Sequence, residues 1–170
     1  MPAFDVIVPG SRAGRLWREF LTEGSEFGAR PVGIEALGSV RVEQGVPEYG
    51  KELSEDVNPL EAGLLDLISF NKGCYVGQEV IARLNTYKKV QRHLVGLSWD
   101  SSAVPEPGCA LFFEGERVGA ITSETRSSGT GGGVGLGYVR IGQARVGEKL
   151  TMGSADSASL ALVERVPSTP

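Results

Sequence analysis

The chain has 170 residues, 17 basic and 21 acidic, giving a net charge of −4, with 41% hydrophobic and 22% charged residues. That balance describes a folded globular chain, contains no apolar run near the roughly 20 residues that span a bilayer, and lacks the basic face that nonspecific nucleic-acid binding needs. Two cysteines, Cys74 and Cys109, and one histidine, His93, exclude a disulfide framework, a multi-cysteine zinc site and a multi-histidine metal centre within one chain.

The N-terminal sequence MPAFDVIVPG shows no basic region followed by a long apolar stretch, so a reducing cytoplasm is the expected compartment. Phe4–Val8 reads as a short strand ended by Pro9-Gly10. Ser11 is a plausible N-cap for a helix over about 12–22, because Ala13, Leu16, Trp17, Phe20 and Leu21 share one helical face. Gly24 supplies its stop. A second helix is expected over 33–44, although the valines of GIEALGSVRVEQ keep a strand open. Residues 45–60 read as loop, punctuated by Gly45, Pro47, Gly50 and Pro59. Leu64–Phe70 is a short buried strand or a helical turn. Val76, Val80, Ile81 and Leu84 recur at helical spacing and predict a helix over about 76–86.

The second half changes character. Short runs such as VQRHLVGLSW, CALFFEG, ERVGAITSE and GGVGLGYVRI are separated by Gly, Ser and Pro turns at about ten-residue spacing, the pattern of a small antiparallel barrel or sandwich. The domain boundary is expected near residue 88, giving domains over 1–88 and 89–170. The first carries 9 basic and 13 acidic side chains, the second 8 of each, so the negative charge lies in the first. Ser127–Gly133 reads as a flexible hairpin loop. Lys88, Lys89, Arg92 and His93 cluster at the junction, either as a solvated strand entry or as an anion or partner contact.

Three familiar chemistries fail on inspection. GVPEYGKE (45–52) approximates a phosphate loop, but Glu52 stands where a hydroxyl should hold magnesium, and Pro47 removes a cradling amide. The glycines near 129–137 complete no dinucleotide fingerprint. A serine triad would have to rest on His93, in an expected strand. The segment Asn71–Glu79, NKGCYVGQE, is denser in chemistry. Lys72 and a following helix N-terminus would favour the thiolate of Cys74, while a small packed thiol is the plainer alternative. Cys109 reads as structural.

Lys72-Gly73-Cys74-Tyr75-Val76-Gly77-Gln78-Glu79 resembles the K-G-C-[YF]-x-G-Q-E motif of the YgfZ family, folate-binding proteins linked to iron–sulfur cluster maintenance and similar in fold to the glycine-cleavage T-protein, an aminomethyltransferase. Ile34–Leu37 followed by Arg41–Gly50 is similar to the shared ALxxxRxExGxPxYG segment. Asn58–Glu61 is similar to its proline turn, and Val118–Ser123 and Gly135–Arg140 resemble strands of the family's C-terminal barrel. The resemblance implies an α+β fold: half of an aminomethyltransferase-like folate-binding domain, then a small antiparallel β-barrel, with the family's usual N-terminal half expected to be lacking.

By the same resemblance Glu43 takes the place of the pterin-contacting glutamate, where a carboxylate accepts from a ring N–H and an amino group together. Lys72 would meet the anionic end of tetrahydrofolate, and Tyr49 would line the channel. Gly73, Tyr75, Gly77, Gln78 and Glu79 complete the motif around the functional thiol Cys74. One thiolate cannot hold an iron–sulfur cluster, which usually takes four ligands. The implied function is a tetrahydrofolate-binding accessory to iron–sulfur proteins, not catalytic as this chain alone. The alternatives are a tetrahydrofolate-dependent aminomethyltransferase and a barrel module that docks protein or RNA through Lys88–His93. A homodimer is also a reasonable expectation, since half of a pseudo-symmetric fold exposes apolar surface.

Overall fold

The computed structural model describes residues 4–87, 89–100, 105–127, 129, 131–157 and 159–166. The chain divides into two compact units, one running to Leu37 and the other beginning at Gly38. Among the described residues three α-helices precede six strands: α1 (Gly10–Glu23), α2 (Ile34–Gln44) and α3 (Gln78–Tyr87), then β1 (Arg92–Trp99), β2 (Ala110–Phe113), β3 (Glu116–Arg126), β4 (Gly133–Arg140), β5 (Lys149–Met152) and β6 (Leu160–Arg165).

The first unit holds α1 and a short 3-10 turn over Gly24–Phe27. Helix α1 forms where the apolar spacing predicts, and Gly24 caps it through its N–H to the carbonyls of Phe20 and Thr22. Two details differ. Pro9 is the N-cap and no side chain caps the helix, so Ser11 lies inside it. The expected strand at Phe4–Val8 is absent: these residues pair with no strand among the described residues, and Phe4 and Ile7 are exposed. An extended run without a ladder partner leaves its backbone groups to water and gains nothing from its alternation.

In the second unit the six strands close into an antiparallel barrel in the order β1-β4-β3-β2-β5-β6. Val95, Leu97 and Trp99 of β1 point inward and pack with Leu111, Val118, Ile121, Val139, Leu150, Ala161 and Val163. Closure leaves no free sheet edge, which is how a small β-domain avoids edge-to-edge pairing. Strand β4 alternates glycine with larger residues, and the glycines face Trp99 and Leu97. A Cβ on Gly133 would lie 2.1 Å from the Trp99 indole, and one on Gly137 would lie 3.2 Å from Leu97 Cδ1. Gly133, the last residue of the expected hairpin loop and also part of the expected strand run, therefore opens β4 and makes room for a large core ring. Residues 127–132 do join β3 to β4, with Ser128 and Thr130 of that stretch outside the described residues.

The outer face of β1 and β4 is also buried. Leu94, Leu136 and Tyr138 form a second apolar cluster with Val42 of α2, flanked by Val57 and Val134. Residues 64–70 contain a 3-10 turn over Leu65–Leu67 and no strand, and Leu67 is exposed, so of the two expected forms the helical turn is present and the burial is not. Helix α3 starts at Gln78, two residues later than the spacing predicts, leaving Val76 outside it and fully exposed.

Candidate functional site

The most constrained polar constellation lies where the end of α2 and the loop after it meet the barrel. The Glu52 side chain is fully buried, and the whole residue is only 1% exposed. Its Oε2 accepts from Arg41 Nη1 at 2.9 Å and from the Glu48 backbone N–H at 3.0 Å. Its Oε1 accepts from the Ser123 hydroxyl at 2.5 Å. Arg41 Nη2 donates to the Ser123 oxygen at 2.7 Å, and Arg41 Nε forms an ion pair with Glu48 at 2.7 Å. The Tyr138 hydroxyl donates to the Glu52 carbonyl at 3.0 Å. A buried carboxylate is tolerable only when its charge and lone pairs are met in this way.

The barrel aims Ser123 into this network by an irregularity. Ile121 pairs with Gly137 and Ser123 with Leu136, so two residues of β3 oppose one step of β4. Such a bulge shifts the alternation of the strand. Ile121 thus faces the core, while Ser123, two positions on, faces outward into Glu52 and Arg41.

The C-terminus of α2 is completely capped. Gly45, at φ 74°, gives its N–H to Val42, and Val46 gives its N–H to Arg41. This is the paired bonding of a Schellman motif, which needs a left-handed residue and so favours glycine. The two carbonyls the motif leaves open, those of Glu43 and Gln44, accept from the Arg165 guanidinium at the end of β6, Glu43 at 2.9 Å. Arg41 Nη1 also donates to the Val46 carbonyl at 3.2 Å.

The residues expected at the site are placed as follows. Glu43 sits half-buried on this capped last turn of α2. Tyr49 is 73% exposed and forms an isolated bridge with Leu53. Lys72 and Cys74 are exposed in a bent segment before α3. The Lys72 ammonium lies over the Tyr75 ring, 4.9 Å from its centre. Gly73 and Glu79 are exposed, while Gln78 opens α3 half-buried. Gly77 lines a groove with Asp56, Pro59, Val80 and Ile81, whereas Glu79 lines another with Arg83 and Tyr87. Lys72 and Tyr75 are thus brought together. Glu43, Lys72 and Cys74 line neither groove.

The basic cluster at the junction is dispersed. Lys88 lies outside the described residues. The Lys89 ammonium lies 5.7 Å from the centre of the Tyr87 ring. Arg92 pairs with Glu61 at 3.1 Å and stacks 4.7 Å from the Tyr138 ring centre. His93 is 5% exposed, with neither ring nitrogen hydrogen-bonded among the described residues. Burial holds its pKa below the usual histidine value, against the opposing pull of Glu61. Burial likewise pushes the Tyr138 hydroxyl up to about 12. The hydrogen bond from Lys51 leads in holding the Glu48 carboxyl below its usual range, and Arg41 adds to it.

Sequence reasoning missed Arg165 and Ser123 and read Glu52 only as an obstacle to phosphate. The available signal was Arg41 in the quoted ALxxxRxExGxPxYG segment, an arginine on a helix face that also buries Val42. Such a cation calls for a buried anion, and Glu52 is eleven residues on.

Comparison with known proteins agrees with this architecture. Residues 2–72 match the family described as the GCVT N-terminal domain, and residues 92–167 match the glycine cleavage T-protein C-terminal barrel domain. A protein of Arabidopsis thaliana named as a chloroplastic transferase is 40% identical over 164 residues, covering 96% of this chain and 36% of its own. An aminomethyltransferase of Desulforamulus reducens is 39% identical over 149 residues, covering 88% of this chain and 41% of its own. The crystal structure of the glycine cleavage system aminomethyltransferase T from Bartonella henselae superposes with a TM-score of 0.80 at 25% identity, over 94% of this chain and 44% of that one. The chain spans less than half the length of each of these relatives. No helix among the described residues is long and apolar enough to cross a membrane. The chain belongs to the aminomethyltransferase-like superfamily, a GCVT N-terminal-type segment followed by the T-protein C-terminal barrel.

Proposed function

We propose that this chain supplies the pterin-contacting helix and the barrel of a tetrahydrofolate-binding accessory protein of the YgfZ type, which supports the assembly or repair of iron–sulfur proteins. The observation that carries the folate reading is Glu43 on a helix turn whose every terminal carbonyl is satisfied. A carboxylate carried on a backbone turn held that way can accept two parallel N–H bonds from a pterin edge. Lys72, exposed and resting on Tyr75, is free to reach the anionic glutamyl end of the ligand. Bound tetrahydrofolate would supply a one-carbon acceptor; the residues named here bind and orient it.

The K-G-C-Y-V-G-Q-E segment supports the YgfZ branch. Its thiol, Cys74, is exposed and suited to a transient ligand or redox role. No group of three or more metal-ligating side chains occurs among the described residues, so stable cluster binding is not part of this proposal. The test is a titration with tetrahydrofolate under reducing conditions, wild type against Glu43→Gln. Saturable binding that weakens about tenfold or more in the variant supports the reading, since one charge-assisted pair accounts for that much. Equal affinity removes Glu43 from the site.

The names of the relatives favour a second reading, a tetrahydrofolate-dependent aminomethyltransferase. It requires transfer of the methylene carbon of an aminomethylated lipoyl carrier to tetrahydrofolate, giving methylenetetrahydrofolate with release of ammonia and the dihydrolipoyl carrier. Turnover lost in Glu43→Gln and kept in Cys74→Ser would select it over the accessory role.

A further inference from the structure

We propose that Arg165, at the end of the barrel, is a positioning residue for ligand binding that acts through Glu43; this rests on the folate reading above. An α-helix leaves its last four carbonyls without intrahelical partners. In α2 these belong to Arg41, Val42, Glu43 and Gln44. The turn through Gly45 and Val46 satisfies the first two, and the two terminal nitrogens of Arg165 satisfy the other two. A residue 122 positions away therefore completes the cap of the turn that carries Glu43.

The barrel is shaped to deliver this guanidinium. Arg165 pairs with Gly96, next to a register shift between Gly96 and Leu97. A Cβ on Gly96 would lie 3.2 Å from the Arg165 Cβ, and one on Gly45 would lie 2.0 Å from its Nη1. Two glycines, one on each side, thus leave the slot through which the side chain passes. A cavity of about 240 Å³ opens beside it, walled by Ala62, Leu94, Leu136 and Arg165. The cation also opposes the negative end of the α2 dipole. Lysine at this position can donate to both carbonyls, but without the planar fork that reaches them together.

The test uses the full chain and four variants: Arg165→Ala, Arg165→Lys, Glu43→Gln and Arg165→Ala with Glu43→Gln. Hydrogen exchange reads the clamp directly. In Arg165→Ala the amides of Gly45 and Val46 should exchange about tenfold faster while those of Leu97, Ile121 and Val139 keep their protection. Unchanged exchange at 45 and 46, or an equal rise throughout the barrel, overturns the clamp. Tetrahydrofolate affinity reads its service to the ligand. Arg165→Ala should bind about tenfold more weakly, Arg165→Lys should recover part of that loss, and the double variant should bind no worse than Glu43→Gln alone. Additive losses, or no recovery by lysine, overturn action through Glu43. If the wild type binds no tetrahydrofolate, or Glu43→Gln binds as well as wild type, the folate reading falls and takes the ligand role of Arg165 with it. The exchange result still decides the clamp.

Discussion

Replacing Glu52 by alanine tests the packing of α2 and its loop on the barrel. The substitution removes the acceptor of three bonds: Arg41 Nη1 at 2.9 Å, the Glu48 N–H at 3.0 Å and the Ser123 hydroxyl at 2.5 Å. Arg41, whose side chain is 12% exposed, keeps among the described residues only the half-exposed Glu48 as counter-ion. Breaking a buried ion pair by removing one partner costs about 3–5 kcal/mol, because the other charge is left desolvated. For a chain of this length that corresponds to a fall in unfolding midpoint of about 6–20 °C. Glu52→Gln keeps the shape but not the charge, and should lose about 1.5–3 kcal/mol. Changing Arg41→Met together with Glu52→Leu removes both charges and should recover much of the loss, giving strong coupling in a double-mutant cycle. Urea unfolding followed by circular dichroism measures the wild type, Glu52→Ala, Glu52→Gln, the single variants Arg41→Met and Glu52→Leu, and the double variant. A loss below about 1 kcal/mol in Glu52→Ala, or additive effects in the cycle, would refute the claim that a buried charged network holds this interface.

Two further outcomes follow from the barrel. His93 is buried with a lowered pKa, so its neutral form is favoured by folding. The unfolded chain then binds more protons once the pH falls below the ordinary value of 6.5, and stability should decline there by up to about 1.4 kcal/mol per pH unit. His93→Leu should flatten that decline in a series of melts between pH 5 and about 8; an unchanged slope assigns the effect to other groups. Gly133→Val places a side chain where the Trp99 indole sits 2.1 Å from the Cβ position. It should cost about 1–3 kcal/mol or more, because overpacking a closed barrel has no cheap relaxation, and should shift the Trp99 fluorescence to longer wavelength. Wild-type emission at wild-type stability would show that the glycine is not needed to seat the ring.

The elements legible in the sequence were those written in local periodicity. The apolar spacing of Leu16, Trp17, Phe20 and Leu21 gives α1, and the short strands between glycine turns give the barrel. Legibility failed where long-range partners decide. Phe4–Val8 has the composition of a strand but pairs with no strand among the described residues. Ser123 has an inward or outward side only after the bulge in β3 sets it, and that bulge is decided by the pairing with β4 rather than by the strand's own residues. Arg165 lies 122 residues from the carbonyl it caps, so no spacing rule connects them. Glu52 looked like a flaw in a phosphate loop because its partner, Arg41, lies back along the chain on a helix. The Lys88–His93 cluster read as one basic surface, yet Arg92 is committed to Glu61 and Tyr138, and His93 is buried.

The claim on which the functional reading depends is that Glu43, Lys72 and the Cys74 segment serve one ligand. A two-dimensional NMR titration of the isotopically labelled chain with 5-formyltetrahydrofolate, a stable folate, addresses it most directly. The expected result is saturable shifts confined to two stretches, around 41–49 and 72–79, that vanish together in Glu43→Gln. Shifts in only one of the two stretches, or none that saturate, would contradict a shared folate site.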